Sequence, residues 1–454
     1  MDVRRFRRAV LAGILATALL GTTASCTRTG GGDSRTIEVL TGINSDHLQQ
    51  QRDYFATVSR EFEKQTGYKV TFRTYASSSD EQQQLQSSVI SGSGPDVFSL
   101  GTTFVPTAYA TGAFHVLSED DWRVLGGRDR FVPQQLSMSG PSRDKQIGVP
   151  YATQPFVMVY NTEMFRKAGI SGPPRTWSQF VADAKKLTHP DKGVYGVATD
   201  PADGFDPWKY IWMMTLQSGG RLISDDRRRA ELDSPQVLNG TSFWLDWFTR
   251  HKIADPHGVT WQGSNALAAV AGGKAAMQMM VSAGSIPTLD DSKIKGKYAF
   301  APMPTVPYGR TSRPPGGLNA ASIVSGQDYA VAQYSEKKDV ALKLVRYLTG
   351  RRNQLRSARL FGDIPADAGA AATVVGNDPR LRGFMTAERH TKPTTFTGGW
   401  ATLQIALGTV IAQTLPELTK GGYDRASLGA RLRQINTQLQ AALDQQRKAE
   451  RKEG

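Results

Sequence analysis

The residues of this chain that could carry out chemistry are few and widely separated. Cys26 is the only cysteine, and the six histidines are isolated from one another. A thiol nucleophile or a metal site is therefore not expected, and we expect no cofactor. The sequence also lacks the phosphate-binding glycine loops and the hydrolase and metalloprotease motifs that mark common enzyme classes.

Two pairs of carboxylates are the remaining candidates for catalysis. Asp203 with Asp206, and Asp225 with Asp226, lie in polar segments, and a secreted enzyme acting on glycans could use such acids. The two acids of a glycosidase normally converge from separate elements across a cleft, whereas these pairs are close in sequence. We predict that the protein is not an enzyme, with a secreted glycan-acting enzyme as an alternative.

The N-terminus has the layout of a secretory signal. Four arginines precede the apolar run 9–20, which is too short to span a bilayer as a permanent helix. Small residues then lead to Cys26, a pattern that resembles a bacterial lipobox, although Thr23 stands where that motif usually has an aliphatic residue. We predict a signal peptide over 1–25, a lipid on Cys26 and a flexible tether over 26–35.

This layout predicts an exported protein that is held on the outer face of the cell membrane. A plain secretory signal with an incidental cysteine is the alternative to the lipid anchor. The arginine pair at the start leaves both the general and the twin-arginine export routes open.

The basic composition could suggest a nucleic-acid partner. The formal charge is +14, and it is +11 without residues 1–25, which carry four arginines and one aspartate. The remaining basic residues are scattered, and aromatic residues are not interleaved with them in the way that stacks bases. We therefore expect a solvated basic surface and no nucleic-acid partner. We also expect the protein to be a monomer.

The elements that must position a site alternate between strands and helices. A chain of 454 residues exceeds the size at which one core keeps growing, so two lobes are expected. Short apolar runs at 37–40, 70–72 and 96–100 predict strands, and the segments between them have helical spacing. This order predicts a parallel sheet with helices on its faces. Further strands are predicted at 156–160 and 276–281, and a long amphipathic helix closes the chain.

Four segments, in sequence order, resemble the extracellular solute-binding proteins of sugar importers, the family that includes the maltose-binding protein. They are Gly94-Pro95-Asp96-Val97, the run from Val149 to Trp177, Gly273-Lys274-Ala275-Ala276-Met277, and Gly316-Gly317-Leu318-Asn319 followed by Gly362-Asp363-Ile364-Pro365. The resemblance implies the α/β periplasmic-binding-protein fold, with two α/β lobes, a hinge and a ligand cleft between the lobes. It implies a first lobe over 36–150 and 314–362, and a second over 151–308 and 365–450.

The resemblance also implies a function. The protein would capture a sugar, an oligosaccharide or another polyol, close around it and deliver it to the membrane permease of an ABC importer. The ATPase would be a separate chain, because this one has no phosphate loop and no later apolar stretch that could span a membrane. A glycerophosphodiester is the alternative ligand, and Lys209 or Arg313 could then bind its phosphate.

A sugar offers apolar C–H faces and hydroxyl groups, so its site needs aromatic platforms and hydrogen-bonding side chains. By resemblance, Trp208 and Trp400 would stack on sugar rings, and Gln154 would bind hydroxyls where the maltose-binding protein has a carboxylate. The candidate ligand-binding residues are Gly101, Thr102, Thr103, Tyr151, Gln154, Asp206, Trp208, Tyr210, Trp261, Ser282, Gly284, Gly316, Gly317, Asn319, Phe396 and Trp400.

Other prominent residues are predicted to be structural. Trp177, Trp212, Trp244 and Trp247 are assigned to a core, since the last two lie three residues apart on one apolar helical face. Asp96, at the start of a strand, is assigned a structural role rather than a ligand contact.

Overall fold

Both predicted lobes are present in a computed structural model, which describes residues 35–44, 47–76, 78–204 and 207–453. Cys26, the predicted signal peptide and Asp206 lie outside the described residues. The strands are β1 (Thr36–Gly42), β2 (Lys69–Tyr75), β3 (Val97–Gly101), β4 (Gly148–Thr153), β5 (Val157–Asn161), β6 (Met277–Val281), β7 (Tyr298–Ala301), β8 (Ser322–Ile323), β9 (Gly326–Val331), β10 (Ile364–Pro365) and β11 (Thr391–Lys392).

Helices surround these strands, and short 3-10 turns connect several of them. The helices are α1 (Leu48–Thr66), α2 (Ser78–Ser91), α3 (Val105–Ala110), α4 (Glu119–Leu125), α5 (Pro133–Leu136), α6 (Thr162–Lys167), α7 (Trp177–Leu187), α8 (Pro207–Gln217), α9 (Pro235–Leu245), α10 (Gly263–Ala271), α11 (Ile286–Asp290), α12 (Lys338–Leu348), α13 (Arg351–Phe361), α14 (Ala368–Asn377), α15 (Arg382–Glu388), α16 (Trp400–Leu418) and α17 (Arg425–Glu453). Among the described residues, no helix combines the length and the apolar character that crossing a membrane requires.

A six-stranded sheet forms the centre of the first lobe, in the order β2, β1, β3, β9, β4, β10. The first three strands are parallel, as their alternation with helices predicts. The strand β9 is antiparallel to both of its neighbours, so the sheet as a whole is mixed. Helix α1 packs on this sheet through Tyr54, Val58 and Phe62, which lie at helical spacing on one buried face.

A smaller antiparallel sheet of β6, β5 and β7 belongs to the second lobe. Its main core is built largely by helices, and it contains Trp177, Trp212, Trp244 and Trp247, whose predicted core positions are confirmed. Helix α8 is buried along its whole length, because other helices pack around it. The C-terminal helices α16 and α17 complete this core.

Within the described residues, the chain passes between the lobes at three places. The first passage joins β4 to β5, and the second leads into β9. Ala320 and Ile323 still pack in the core of the second lobe, so the return to the first lobe comes at Gly326, later than the predicted residue 314. The third passage is at β10, which pairs with β4 before α14 packs on the second lobe.

The contacts of the buried Asp96 support the structural role assigned to it. Its carboxylate accepts hydrogen bonds from the amide of Glu38 at 3.0 Å and from the hydroxyl of Ser335 at 2.7 Å, and it pairs with Lys337 at 3.1 Å. These contacts join the start of β3 to β1 and to the segment that precedes α12.

Candidate functional site

Two adjoining cavities occupy the cleft between the lobes and its extension along the first sheet. The interlobe cavity has a volume of 390 Å³, and the sheet-side cavity has a volume of 350 Å³. Both are lined by Asn44, Gln154, Phe361 and Asp363, so the two volumes meet along these residues. The cleft lies where the carboxyl ends of β1 and β2 and the passages between the lobes come together, as ligand sites of open α/β sheets do.

Tyrosines form much of the wall on the first lobe. Tyr75 ends β2, Tyr151 lies in β4, Tyr329 lies in β9, and Tyr54 projects from α1. The rings of Tyr151 and Tyr329 stack with centroids 4.2 Å apart, and the hydroxyls of Tyr151 and Ser99 are 2.9 Å apart. Burial raises the pKa of all four tyrosines above the usual range, so their hydroxyls stay neutral. This wall offers aromatic faces together with uncharged hydrogen-bonding groups.

Asp363 contributes a carboxyl group to both cavities. It follows Gly362, which ends α13 in the left-handed conformation at φ 74°. The pKa of Asp363 is raised overall, because the effect of burial exceeds the opposite effects of a hydrogen bond from the Ser357 hydroxyl at 2.8 Å and of the nearby His47. The oxygens of this carboxyl group can accept hydrogen bonds from ligand hydroxyls at the edge of the hinge.

The wall on the second lobe comes from the end of β6 and the start of α10. Asp200 lines the cleft, and the Tyr210 hydroxyl donates a hydrogen bond to it at 3.2 Å. Met280 also lines the cleft, with a φ of 57° that is uncommon for a residue with a side chain. It lies where the pairing of β5 with β6 shifts register, and such irregularities re-aim side chains beside binding sites.

Four of the predicted ligand-binding residues line these cavities. Gln154, Ser282 and Gly284 line the interlobe cavity, and Tyr151 lines the sheet-side cavity together with Gln154. The backbone amide of Gln154 donates a hydrogen bond to the carbonyl oxygen of Ser325 at 2.8 Å, and this bond joins two passages between the lobes. Their contact with a ligand stays a prediction.

Trp208 and Trp400 do not lie at the cleft, contrary to the expectation that they form platforms there. They are 1% and 0% exposed, and their rings meet edge to face with centroids 5.8 Å apart. Tyr210 is also buried, and it stacks on Trp244 at 4.4 Å. Packing of α16 against α8 buries these rings, a contact between segments far apart in sequence.

The loop after β3 is hydrogen-bonded to the start of β9 and does not line the cavities. Thr102 and Thr103 are buried, and Gly101 is half-buried. The Thr102 hydroxyl accepts a hydrogen bond from the amide of Gly326 at 3.0 Å. The side chain of Thr102 thus stabilises the second passage between the lobes.

The segment with Gly316, Gly317 and Asn319 packs at the end of α8, away from the cleft. A Cβ atom at Gly317 would lie 2.5 Å from the carbonyl oxygen of Gln217, so a larger residue would not fit there. The Asn319 amide lies 3.2 Å from the His390 ring. The glycines permit close packing between backbone segments of the second lobe.

Two further aromatic candidates also pack against protein. Trp261 lies over Gly258, and it borders a cluster of buried residues in the second lobe. Phe396 meets the ring of Tyr109 edge to face at 5.8 Å, in a contact between the C-terminal segment and α3 of the first lobe.

Asn44, His47, Asp200 and Asp363 line the interlobe cavity but were not among the predicted residues. Asn44 could have been found from its place just after β1, since ligand sites lie beyond the carboxyl ends of strands. Asp363 belongs to the Gly-Asp-Ile-Pro segment that carries the resemblance. No pattern in the sequence singles out His47 or Asp200.

The cleft differs in charge from the rest of this basic protein. Among the described residues that line the two cavities there is no lysine or arginine, whereas Asp200 and Asp363 are acidic. Lys209 is buried with its Nζ 4.1 Å from the centroid of the Phe156 ring, and Arg313 donates to Thr305 at 3.1 Å. Within the described part of the chain, no group of His, Cys, Asp and Glu is arranged to hold a metal ion.

Comparison with known proteins shows which family this chain resembles in sequence. The sequence profile of the family described as bacterial extracellular solute-binding protein matches residues 49–355, more than half of the chain. The diacetylchitobiose binding protein DasA of Streptomyces coelicolor is 25% identical over 371 residues, which cover 76% of this chain and 76% of that protein. The maltotriose-binding protein of Pyrococcus abyssi is 23% identical over 318 residues, which cover 68% of this chain and 63% of the relative.

A solved structure has the same fold. It is a solute-binding protein of an ABC transporter from Thermotoga lettingae bound with α-D-tagatose, with a TM-score of 0.73 and 20% identity. The match covers 89% of this chain and 100% of that chain, and it confirms the predicted two-lobed fold. Since the family profile also matches most of the chain, this protein belongs to the bacterial extracellular solute-binding protein family.

Proposed function

We propose that this protein binds a neutral sugar or oligosaccharide in the interlobe cleft and delivers it to the permease of an ABC importer. The observation that carries the proposal is the lining of the cleft, where tyrosine rings, uncharged hydroxyls and amides adjoin two carboxylates. Such groups suit the C–H faces and hydroxyls of a sugar. The relatives named for diacetylchitobiose and maltotriose support the same ligand class.

The charge of the cleft argues against a glycerophosphodiester. A phosphate needs Arg, Lys or clustered backbone amides, and the described lining residues include no basic side chain except His47. Lys209 and Arg313, which could have bound a phosphate, are engaged with Phe156 and Thr305 outside the lining of the cleft. A negatively charged ligand would instead meet Asp200 and Asp363.

We further propose that the bound sugar is released unchanged. Asp225 and Asp226 are exposed on a turn, where Arg221 and the Ser224 hydroxyl bind them. Asp203 accepts a hydrogen bond from the amide of Gly263 at 3.3 Å, which assigns it a role in fixing the start of α10. The relatives are binding proteins of transport systems, which supports a receptor rather than an enzyme.

The attachment to the membrane is proposed to be a lipid on Cys26. The signal layout of the sequence supports it, and the tether would let the folded lobes move near the membrane. Mass spectrometry of the mature N-terminus would identify the lipid. Release of a Cys26→Ser protein into the medium is the expected result, whereas retention of that variant on the cell would contradict the anchor.

A thermal-shift screen tests the ligand class. The chain from residue 26, with Cys26→Ser to prevent acylation, is screened with diacetylchitobiose, maltotriose, monosaccharides, glycerophosphodiesters and amino acids. A ligand of the native state raises the melting temperature. We expect a saturable rise with one saccharide group and no consumption of that saccharide over time.

Matched variants connect the ligand to the cleft. Gln154→Ala should weaken the binding of the identified saccharide by about tenfold, the effect of one lost hydrogen bond to a polar ligand. Gln86→Ala, on an exposed position of α2, is the control and should bind as the unmodified chain does. A shift only with amino acids or glycerophosphodiesters would contradict the sugar proposal, and turnover of the saccharide would contradict the proposal of a receptor.

A further inference from the structure

A basic groove lies on the flank of the first lobe, remote from the ligand cavities. It has a volume of 580 Å³ and lies between α1, α12 and α13. Its lining contains five cationic side chains and one carboxylate. These residues are Lys343, Arg346, Arg351, Arg352, Arg356 and Glu61.

The start of α13 adds to the positive potential of the groove. Gly350 precedes this helix without a side-chain cap, and no acidic residue lies in the first turn. Arg351 and Arg352 occupy that turn instead, where the helix dipole disfavours cations. Arg346 also acts on Arg130, whose pKa is lowered to about 10 by burial first and by this neighbouring charge second.

The described carboxylates neutralise only part of the positive charge of the groove. Arg356 donates from Nη2 to Glu61 at 2.8 Å, but its Nη1 is buried and meets no acceptor at hydrogen-bonding geometry. Lys343 and Arg352 are exposed, and neither has a hydrogen bond or an ion pair within the described structure. The single carboxylate of Glu61 is already shared with Arg356 and the Tyr347 hydroxyl. An anion in the groove would relieve this repulsion.

The groove lies on the side of α12 and α13 that faces away from the cleft. Leu348 and Gln354 of the same helices line the sheet-side cavity, so the two sites use different faces. Helix α12 begins beside the start of β1, because the Nζ of Lys337 donates to the carbonyl oxygen of Thr36 at 2.5 Å. The chain thus enters the first lobe at the start of α12, and the groove lies along the later part of that helix and the start of α13.

We propose that this groove binds the phosphate group of an anionic partner. Guanidinium groups present paired donors that match phosphate oxygens, and a groove with several of them holds one phosphate more strongly than scattered lysines do. Headgroups of anionic lipids and soluble phosphate offer the same chemistry. The proposed tether of residues 26–35 spans at most about 36 Å, which would keep the first lobe near a lipid surface.

Binding to vesicles tests the lipid source. The chain from residue 26 with Cys26→Ser is sedimented with phosphatidylcholine vesicles that contain or lack phosphatidylglycerol. Lys343→Glu with Arg352→Glu should lower the partition coefficient onto the anionic vesicles by about 30-fold, given the attraction of each basic residue near such a surface. Lys192→Glu with Lys293→Glu reverses two exposed charges of the second lobe and is the matched control.

Inorganic phosphate tests the soluble source with the same proteins, by calorimetric titration. Saturable binding that is lost in the Lys343→Glu, Arg352→Glu protein but kept in the control would assign the site to a soluble phosphate. Groove-dependent binding to vesicles alone would assign it to lipid headgroups. Equal losses in both double variants, or no binding to either probe, would overturn the proposal. The cleft ligand is absent from both assays, so the result does not depend on the sugar proposal.

Discussion

Three carboxyl groups of this protein lie where water cannot solvate their charged form. Burial raises the pKa of Glu81 to about 8, that of Asp328 to about 7 and that of Glu388 to about 7. The opposing hydrogen bonds are too few to restore ordinary values, since Asp328 accepts only one, from the Ser139 hydroxyl at 3.0 Å. These groups are therefore largely protonated in the folded state below neutral pH.

The stability of the protein should fall as the pH rises from about 4 to about 8. Between the unfolded and folded pKa values, the native state holds protons that the unfolded chain has lost, so unfolding becomes easier with rising pH. For Asp328, a shift from 3.8 to about 7 corresponds to an upper bound of roughly 4 kcal/mol. Chemical denaturation at several pH values measures this slope.

Asp328→Asn supplies the matched test, because the amide keeps the shape without titrating. We expect a shallower decline of stability with pH in this variant than in the unmodified chain. An unchanged slope would show that Asp328 does not carry the effect.

Trp208 and Trp400 provide a second prediction at the residue scale. Because both rings are fully buried, Trp208→Ala and Trp400→Ala should each lower the free energy of unfolding by about 3–5 kcal/mol. Urea denaturation measures the loss. A variant that keeps its stability and loses only saccharide binding would instead support the earlier expectation of a stacking platform.

At this scale the sequence predicted residue types better than residue positions. Gln154, Ser282 and Gly284 line the interlobe cavity because they follow the ends of β4 and β6, and strand ends can be predicted from apolar runs. Tyr151 lines the sheet-side cavity from within β4. The burial of Trp400 depends on how α16 packs on α8, and no local pattern encodes that contact.

Among the elements, the end of α13 is one place where the two lobes come into contact. Gly362 ends this helix at φ 74°, and a Cβ atom there would lie 3.6 Å from the carbonyl oxygen of Ala283 in the second lobe. A Cβ atom would fit at that distance, so it is the left-handed helix end that favours glycine at this position.

Gly362→Ala should lower the free energy of unfolding by about 1 kcal/mol, because residues with a Cβ atom are strained in the left-handed region. Gly172→Ala is the control, since no atom lies within 4 Å of its Cβ position and its φ is not in that region. Urea denaturation of both proteins gives the difference. Equal stability of the two variants would contradict this account.

Strands and helices were predicted well where their period is regular. The long helix predicted to close the chain is α17, and β1, β2, β3 and β6 lie at the predicted runs. The position of β9 could not be predicted. It pairs with β3 and β4, and most of the second lobe separates it from these strands in the sequence.

In the whole molecule, one side chain joins the passages between the lobes. The Nε2 of Gln135 lies 2.7 Å from the Thr153 hydroxyl, 3.2 Å from the Ser325 carbonyl oxygen and 3.2 Å from the Glu388 carboxylate. Gln135 is fully buried on α5 of the first lobe, and Glu388 ends α15 of the second. This network couples the relative position of the lobes to the hinge.

Gln135→Ala should destabilise the protein by about 2 kcal/mol, since it removes the hydrogen bonds that Gln135 makes to the buried Thr153 hydroxyl and Glu388 carboxyl group. It should also change the radius of gyration of the ligand-free protein in small-angle X-ray scattering, because the hinge loses its link between lobes. The neighbouring Gln134→Ala is the control. A radius of gyration and a stability equal to those of the control would argue against this role for the network.

The place of β9 between β3 and β4 has a consequence for the order of folding during export. A chain that crosses a membrane with its N-terminus first delivers β1 to β4 early, but β9 follows only after the strands of the second lobe. Until then, the facing edges of β3 and β4 have no partner strand, and such edges invite aggregation. In a chain that is exported unfolded, the first lobe therefore cannot complete its sheet before residue 331 has emerged, and the edges of β3 and β4 stay unpaired until then.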